Sequence, residues 1–506
     1  MEAFHLEIQN LYAALAQPRE KLYLSYVLFD AAGSEQRPSF VVGRLQTLLP
    51  ALMVEKESAD KEYHLSAIKP ALEYAAERID GALWRALAQF EPLRPAMETV
   101  RAASGYTRGT LSHAAVRALY GRNLSLSASR MDRARSCHFA YFMQYGLRAR
   151  ERAAAGFDAP QAGTFVHDVM EHTLAAAREA GGLKALSREE LRKLTRASIA
   201  AYIENNLPDL PEKTARFRYL FRRLCESTYR IMDEVADELR ESDFEPLAFE
   251  FAFDDRSGDM PAIEFRTGEG AVHVNGKIDR VDGWLHDGKL YLRVVDYKTG
   301  KKSFDLAELR HGLGLQMLLY LFALERGAAG RFDGREIVPA GVLYTPARDQ
   351  ILRLPRNTDA ETLRREAQKA LRRSGMVLSD DAVLRAMEHS ALEEPHRLPI
   401  KVKIGKDGSR SISGSLATAE QLGKLSRYVD KLVRDIARET ERGNIDADPF
   451  ARSATDTACT YCPYAAACGF EPGQGGDRYE YIASTNADEF WKAVDEVIAG
   501  RGESDG

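Results

Sequence analysis

Gly276-Lys277-Ile278-Asp279-Arg280-Val281-Asp282 and Val294-Val295-Asp296-Tyr297-Lys298-Thr299-Gly300 set carboxylates at intervals into runs that are otherwise apolar. A period of two over Ala271 to Trp284 and over Leu290 to Tyr297 predicts strands, and the turn His286-Asp287-Gly288 joins them as an antiparallel hairpin. Asp279 and Asp296 then fall on adjacent rungs and can face one another. Two carboxylates in a partly buried setting repel unless a cation sits between them, and oxygen donors suit Mg²⁺ or Mn²⁺. Lys298 lies two residues beyond Asp296, so alternation puts its ammonium on the same face. There it can orient a water and offset charge on a pentavalent phosphate, the chemistry of metal-assisted phosphodiester hydrolysis. A lone Asp-x-Lys is usually a solvated pair at a strand end. This one closes a hydrophobic strand and has a second aspartate from the partner strand.

Outward from the hairpin, Leu247 to Phe253 and Ala262 to Phe265 also read as strands. Gly163 to Ala180 is an amphipathic helix, with Phe165, Val166, Val169, Met170 and Leu174 on its apolar face. A long helix over Lys213 to Arg240 ends at Asp243 and Pro246. After the hairpin come an apolar helix, about Leu313 to Glu325, and a strand, Ile337 to Tyr344. Beyond 356 the sequence predicts further helices and a polar hairpin around Lys406-Asp407-Gly408. A last long helix is opened by Thr418 and Gln421 in capping-box spacing and ended by Gly443. Upstream, Leu6 to Tyr26 reads as a helix leading into a strand, Lys21 to Tyr26, with a loop at Asp30 to Pro38. Residues 39 to 120 are helix-rich.

With 506 residues, 45% of them hydrophobic and 29% charged, the chain is an ordinary globular protein of roughly three domains, which excludes disorder and fibres. The first residues form no secretory leader, and the apolar run Leu315 to Leu324 is too short for a bilayer, so a soluble, cytoplasmic protein without membrane contact is expected. A net charge of -5 excludes a uniformly cationic coat but leaves room for a local basic groove. Five cysteines are too few for a disulfide scaffold. Cys459, Cys462 and Cys468 nevertheless cluster and supply three thiolates, one short of a tetrahedral set. Cys225, beside Leu224 in the long helix, reads as core filler. Cys137, in Arg135-Ser136-Cys137-His138-Phe139, is the candidate fourth ligand. Spacing leaves zinc and an iron–sulfur cluster equally open.

His167 in Gly163-Thr164-Phe165-Val166-His167, Asp279 in Gly276-Lys277-Ile278-Asp279-Arg280, and Asp296-Tyr297-Lys298-Thr299-Gly300 together resemble the motifs of the RecB-type PD-(D/E)XK nucleases. The resemblance implies an α/β, restriction-endonuclease-like core with helical additions. It assigns His167, Asp279, Asp296 and the backbone carbonyl of Tyr297 as metal ligands and Lys298 as the catalytic lysine. Gln316 and Tyr320, in Gln316-Met317-Leu318-Leu319-Tyr320, match the accessory Gln-x-x-x-Tyr motif associated with DNA and active-site positioning. Taken singly, His167 is an ordinary helix histidine and Gln316 with Tyr320 ordinary packing; the joint order carries the reading. Glu171 and His172 are read as supporting or structural, and Asp282 as a solvated or salt-bridging strand residue. One cysteine upstream and Cys-x2-Cys-x5-Cys downstream is the plan of the AddB-type iron–sulfur nucleases. It implies a 4Fe-4S cluster on Cys137, Cys459, Cys462 and Cys468 that staples the two ends of the domain.

Leu126-Ser127-Ala128-Ser129-Arg130, Cys137 to Phe142, Tyr145 to Arg148 and Leu398 to Tyr464 are also similar to that nuclease domain. Leu11 to Tyr26 is similar to the last motif of the superfamily 1 helicase fold, with Ala16 and Gln17 where active helicases carry a Thr-Arg pair. No Gly-x4-Gly-Lys-Ser/Thr loop occurs, so no ATPase activity is expected from this chain. The implied layout is a helicase-like remnant at 1–50, a helical connector at 51–123, the nuclease domain at 124–485 and a C-terminal helix and tail at 486–506. The chain is then the C-terminal part of a longer polypeptide, lacking the region in which the family recognises recombination hotspots. The implied role is a Mg²⁺-dependent deoxyribonuclease that processes double-strand breaks beside an AddA-type helicase–nuclease and cuts the 5′-terminated strand. Arg130, Arg133, Arg135, Lys301 and Lys302 are candidate phosphate contacts. Two rivals are a stand-alone exonuclease of the CRISPR-adaptation kind and a non-catalytic DNA-binding iron–sulfur scaffold.

Overall fold

The computed structural model describes residues 2–28, 35–53, 64–79, 81–150, 159–255, 258–267, 270–298, 300, 304–347, 352, 354, 355, 357–404 and 410–500. Two compact units divide the chain, 1–103 and 104–506. The first is built from short helices, including Glu2–Ala16, Ile68–Ala76 and Arg94–Ser104, with a small core of Ala75, Trp84 and Met97. The strand expected at Lys21 to Tyr26 does not form. Leu22, Tyr23 and Leu24 are exposed, and among the described residues no strand runs beside them to satisfy a ladder.

The second unit contains strands β1 (Leu124–Leu126), β2 (Glu245–Phe253), β3 (Ile263–Arg266), β4 (Ala271–Val274), β5 (Gly276–His286), β6 (Lys289–Lys298), β7 (Glu336–Pro346), β8 (Ser374–Leu378), β9 (Ile400–Ile404), β10 (Arg410–Gly414), β11 (Leu416–Ala417), β12 (Phe450–Ala451) and β13 (Glu480–Tyr481). A six-stranded sheet runs β11-β8-β7-β6-β5-β2. The β5–β6 hairpin turns through Asp287 and Gly288, both at positive φ (48° and 75°), the pair of left-handed residues a two-residue hairpin loop requires. β6 and β7 are parallel, and the Gln316–Gly327 helix is the longest element of the crossover between them.

The single strand expected over Ala271 to Trp284 is broken at Asn275. There the backbone N–H donates to the Leu126 carbonyl at 2.9 Å and Nδ2 to Ser125 Oγ at 3.1 Å, so β4 leaves to pair with β1 and β3 in a second sheet. The hairpin strands expected on either side of Lys406-Asp407-Gly408 form as β9 and β10, and the turn itself lies outside the described residues.

The main sheet is buried on both faces. Val294 belongs to a core with Val281, Val342 and the helices Gln316–Gly327, Ala419–Glu441 and Ala487–Ile498. Val295, its neighbour, belongs to another core with Tyr297 and the helices Ala159–Glu179, Arg188–Asn206 and Ala215–Arg240. Adjacent β residues point to opposite faces, so an unbroken apolar run is what a covered central strand demands. The capping box predicted at Thr418 and Gln421 is formed in both directions, and Gly443 follows its helix at φ 74°. Among the described residues no helix is long and apolar enough to cross a membrane.

Beneath the helix that carries Glu238 lies a buried ionic network. Arg280 and Arg293 donate to both Glu238 and Asp282, and Arg373 donates to Glu238 at 2.7 Å. Asp282 is therefore a salt-bridging residue but not a solvated one, being fully buried. Burial opposes ionisation of Glu238, yet Arg373, Arg280 and Arg293 outweigh it and hold the carboxyl well below the usual carboxylate range.

Candidate active site

The β5–β6 register pairs Arg280 with Val295, and one step further along the ladder brings Asp279 level with Asp296. On the other side of β5, Phe249 pairs with Arg280 and Phe251 with Ile278, which brings Glu250 level with Asp279. On β7, Tyr344 pairs with Asp296. Glu250, Asp279, Asp296 and Tyr344 thus form one row across four strands, beside the last residues of β6.

Tyr297 lies at the centre of the row. Its backbone N–H donates to Asp279 Oδ2 at 2.8 Å, and its carbonyl accepts from His167 Nε2 at 2.9 Å. Its phenol accepts from Arg280 at 2.6 Å, which ties the backbone presented to the site to the buried network behind it. His167 reaches over from the Ala159–Glu179 helix, where Phe165, Val166, Val169 and Met170 are buried and leave it at the sheet end with Nδ1 3.4 Å from Asp279 Oδ2. Lys298 Nζ stands 2.6 Å from Asp296 Oδ2 and 5.6 Å from the centre of the Tyr344 ring. All the predicted carboxylate, lysine and histidine positions are brought together.

The charges are under strain. Burial first, then the charge of Asp279, pushes Asp296 up to about 6, against the pull of Lys298 and His167. Burial favours neutral His167, but Asp279, by hydrogen bond and charge, and Asp296 raise its pKa above the ordinary value. Glu250 is raised chiefly by burial, with Asp279 and Glu171 adding repulsion and Lys277, 2.5 Å away, opposing them. Its backbone is left-handed, φ 48°, a conformation that costs a non-glycine residue roughly 1–2 kcal/mol. Sequence reasoning missed Glu250. The signal was one carboxylate between Phe249 and Phe251 in an apolar strand, the same interruption that marked Asp279 and Asp296.

His167, Glu250 and Asp279 each present a donor atom within 4.8 Å of the others, a nitrogen and oxygens of the kind that hold Mg²⁺ or Mn²⁺. Tyr320 is buried, its ring stacked on Phe253 at 5.6 Å, and its hydroxyl bonds with Gln316 and the Lys277 backbone. The Gln-x-x-x-Tyr pair therefore anchors the start of β5. Glu171 acts on the site by its charge, whereas His172 is exposed and bonds to its own helix at the Asp168 carbonyl.

Cys137 and Cys462 share one apolar cluster with Ala140 and Tyr464, and Cys462 and Cys468 lie near enough to Cys459 to oppose its ionisation. The backbone N–H of Ala140 points at Cys137, and that of Phe470 at Cys468. Cys225 sits apart, packed on the core of the Ala215–Arg240 helix. Arg130 and Arg133 line one cleft and Arg135 a different one, which mixes acidic and basic residues. Lys301 and Lys302 lie outside the described residues.

A mixed sheet with a parallel crossover, covered by helices and carrying its carboxylate row at one end, is an α/β fold of the restriction-endonuclease type. The chain belongs to the PD-(D/E)XK nuclease superfamily, whose family model matches residues 125–469. It is 31% identical to the B-type subunit of the ATP-dependent helicase/deoxyribonuclease of Clostridium perfringens, over 97% of this chain and 44% of that protein. The proteins of the same name from Caldanaerobacter subterraneus subsp. tengcongensis and Thermoanaerobacter sp. (strain X514) are 30% and 28% identical, each over 96% of this chain and 43% or 44% of the relative. The chain spans less than half the length of these relatives.

Proposed function

We propose that this chain carries the nuclease centre of a DNA-end-processing helicase–nuclease and hydrolyses phosphodiester bonds of single-stranded DNA that an AddA-type partner unwinds. The row Glu250–Asp279–Asp296, met by Lys298 and His167, is the observation that carries the reading. His167, Asp279, Asp296 and the Tyr297 carbonyl would hold a divalent ion, with Glu250 facing the same point. An ion held there, Mg²⁺ or Mn²⁺, would supply polarisation of the phosphodiester and activation of an attacking water. Lys298 holds its ammonium beside Asp296, where it can hydrogen-bond that water and offset the charge that builds on phosphorus. Arg280 fixes Tyr297, and Tyr297 fixes the carboxylate of Asp279.

The same proposal gives Cys137, Cys459, Cys462 and Cys468 to a 4Fe-4S cluster. Soft thiol donors with backbone N–H groups directed at two of them fit that group. Bound there, the cluster would cross-link segments distant in sequence and so restrict the unfolded chain.

The test is cleavage of single-stranded DNA in Mg²⁺ by this chain, with and without its helicase partner, against Asp296→Ala and Lys298→Ala. Both variants should lose cleavage and keep binding. A parent chain that binds DNA tightly and never cuts, under either condition, would establish the scaffold instead.

A further inference from the structure

On the flank of the nuclease unit is a cleft of about 660 Å³ whose lining includes Arg130, Arg133, Arg148 and Arg150 and, among the described residues, no carboxylate. Tyr120 and Tyr145 form part of its wall. Tyr120 stacks on Tyr141 at 5.6 Å, Tyr141 lies against Tyr145 at 5.4 Å, and the Arg130 guanidinium covers Tyr145 at 5.1 Å. Arg130 is further held by the Ser125 carbonyl. Among the described residues, Arg133, Arg148 and Arg150 have no carboxylate partner.

The backbone here is shaped at a cost. Residues Phe142–Gly146 form a π-helical turn, a form that is uncommon and frequent at functional sites. Arg148 is left-handed at φ 55°. A Cβ at Gly146 would stand 2.8 Å from the Tyr120 hydroxyl, so glycine lets that ring close the wall.

The cleft adjoins the carboxylate row across one helix. Asp132, between Arg130 and Arg133 on the Ala128–Ser136 helix, accepts from the Gly314 N–H at 2.8 Å and lies near enough to the Tyr344 phenol to oppose its ionisation. Consecutive helix residues point about 100° apart, so the helix turns Asp132 toward the row and Arg133 toward the cleft. A cationic groove walled by aromatic rings is a pattern that tracks the backbone of a single strand, with its phosphates on guanidinium groups.

We infer that this cleft binds the sugar–phosphate backbone of single-stranded DNA on its way past the carboxylate row, a ligand assignment that rests on the proposed nuclease activity.

The experiment measures binding of a fluorescent oligothymidylate to the full chain in EDTA, where nothing is cut. It compares the parent with Arg133→Gln/Arg148→Gln/Arg150→Gln and with the matching triple lysine variant. The glutamine variant should bind at least about tenfold more weakly, and its log–log salt slope should be shallower by about 2, the counterion release of three contacts on a single strand. The lysine variant should keep most of the binding, which separates lost charge from misfolding. Cleavage of bis(p-nitrophenyl) phosphate, too small to span the cleft, should stay within about twofold of the parent. Unchanged affinity and salt slope in the glutamine variant overturns the inference, and if that variant instead loses its helicase partner, the cleft is a protein interface. A parent that hydrolyses neither substrate with or without its helicase partner, with the binding loss still present, refutes the nuclease reading and leaves the groove standing.

Discussion

The phenol of Tyr320 occupies the space that a side chain at Gly276 would need: a Cβ built there stands 1.8 Å from the hydroxyl and 2.3 Å from the ring carbon bearing it. Gly276 opens β5, and Asp279 follows three residues later, so this contact sets where the carboxylate row begins. Neither the buried ring nor the strand can move freely. Gly276→Ala should therefore cost about 1–3 kcal/mol of stability, the usual penalty of overpacking, and reduce cleavage by shifting β5. A double-mutant cycle with Tyr320→Leu, read by chemical denaturation, should show coupling, because the smaller side chain relieves the clash. Strict additivity would mean the two residues do not compete for this space.

Glu250 holds a left-handed backbone in the middle of β2 and aims its carboxylate at His167 and Asp279. Strain kept at a residue whose neighbours Phe249 and Phe251 pair in register with β5 points to a role beyond the ladder. Glu250→Gln preserves shape and removes charge. It should raise the Mn²⁺ concentration needed for half-saturation about 10–100-fold, the range seen when a group supporting metal ligands is lost, with little change in the unfolding midpoint. Titration calorimetry of Mn²⁺ binding checks this, and equal affinity in parent and variant would remove Glu250 from the site.

The hairpin was legible because its two aspartates interrupt an alternating apolar pattern and its turn residues demand one geometry. Glu250 was not, since its place depends on β2 pairing with β5 in a register that no local pattern specifies. Asp282 was legible in part, for a related reason: it is salt-bridged, as expected, but buried instead of solvated. A charged residue in a strand ordinarily faces water, and its burial depends on Arg280, Arg293 and a glutamate from a distant helix. β8 escaped notice because five residues with one glycine carry too little periodicity, although the strand pairs along β7. Lys21 to Tyr26 failed in the opposite sense, with strand-like composition and no partner among the described residues.

A proton on Asp296 competes with any cation for the same carboxylate. With Asp296 pushed up to about 6, divalent affinity should rise as pH climbs through that value and level off above it. Mn²⁺ binding followed by electron paramagnetic resonance at pH 5 and pH 7.5 should differ by about tenfold or more. A flat profile would show that this carboxylate does not take part.

Glu238 carries the opposite shift. Its folded pKa lies below its unfolded value, so it contributes stability that is present above the ordinary glutamate range and lost as pH falls through and below it. Glu238→Gln leaves Arg280, Arg293 and Arg373 short of a buried anion and should cost about 3–5 kcal/mol at neutral pH. The gap between parent and variant should narrow as pH drops below about 4.5, where the unfolded parent takes up a proton that the folded carboxylate, held by its three arginines, does not. Denaturation curves across that range decide it, and a gap that stays constant with pH would place the cost in packing instead of charge.

The cysteines separate into two kinds that three single variants distinguish. Cys459 stands beside Cys462 and Cys468, whereas Cys225 packs on a helix core, its thiol pushed up to about 11 by burial. Cys459→Ala and Cys137→Ala should each lose the iron of the purified chain and lower its melting temperature, since either change would break the proposed cross-link between segments distant in sequence. Cys225→Ala should keep its iron and lose no more than about 1 kcal/mol, the value of a small partly buried group. Iron assayed by chelation gives the readout. Zinc in place of iron in anaerobically prepared protein would retain the staple and change the metal, while iron retained in Cys137→Ala and lost in Cys225→Ala would show that the fourth ligand comes from the Ala215–Arg240 helix.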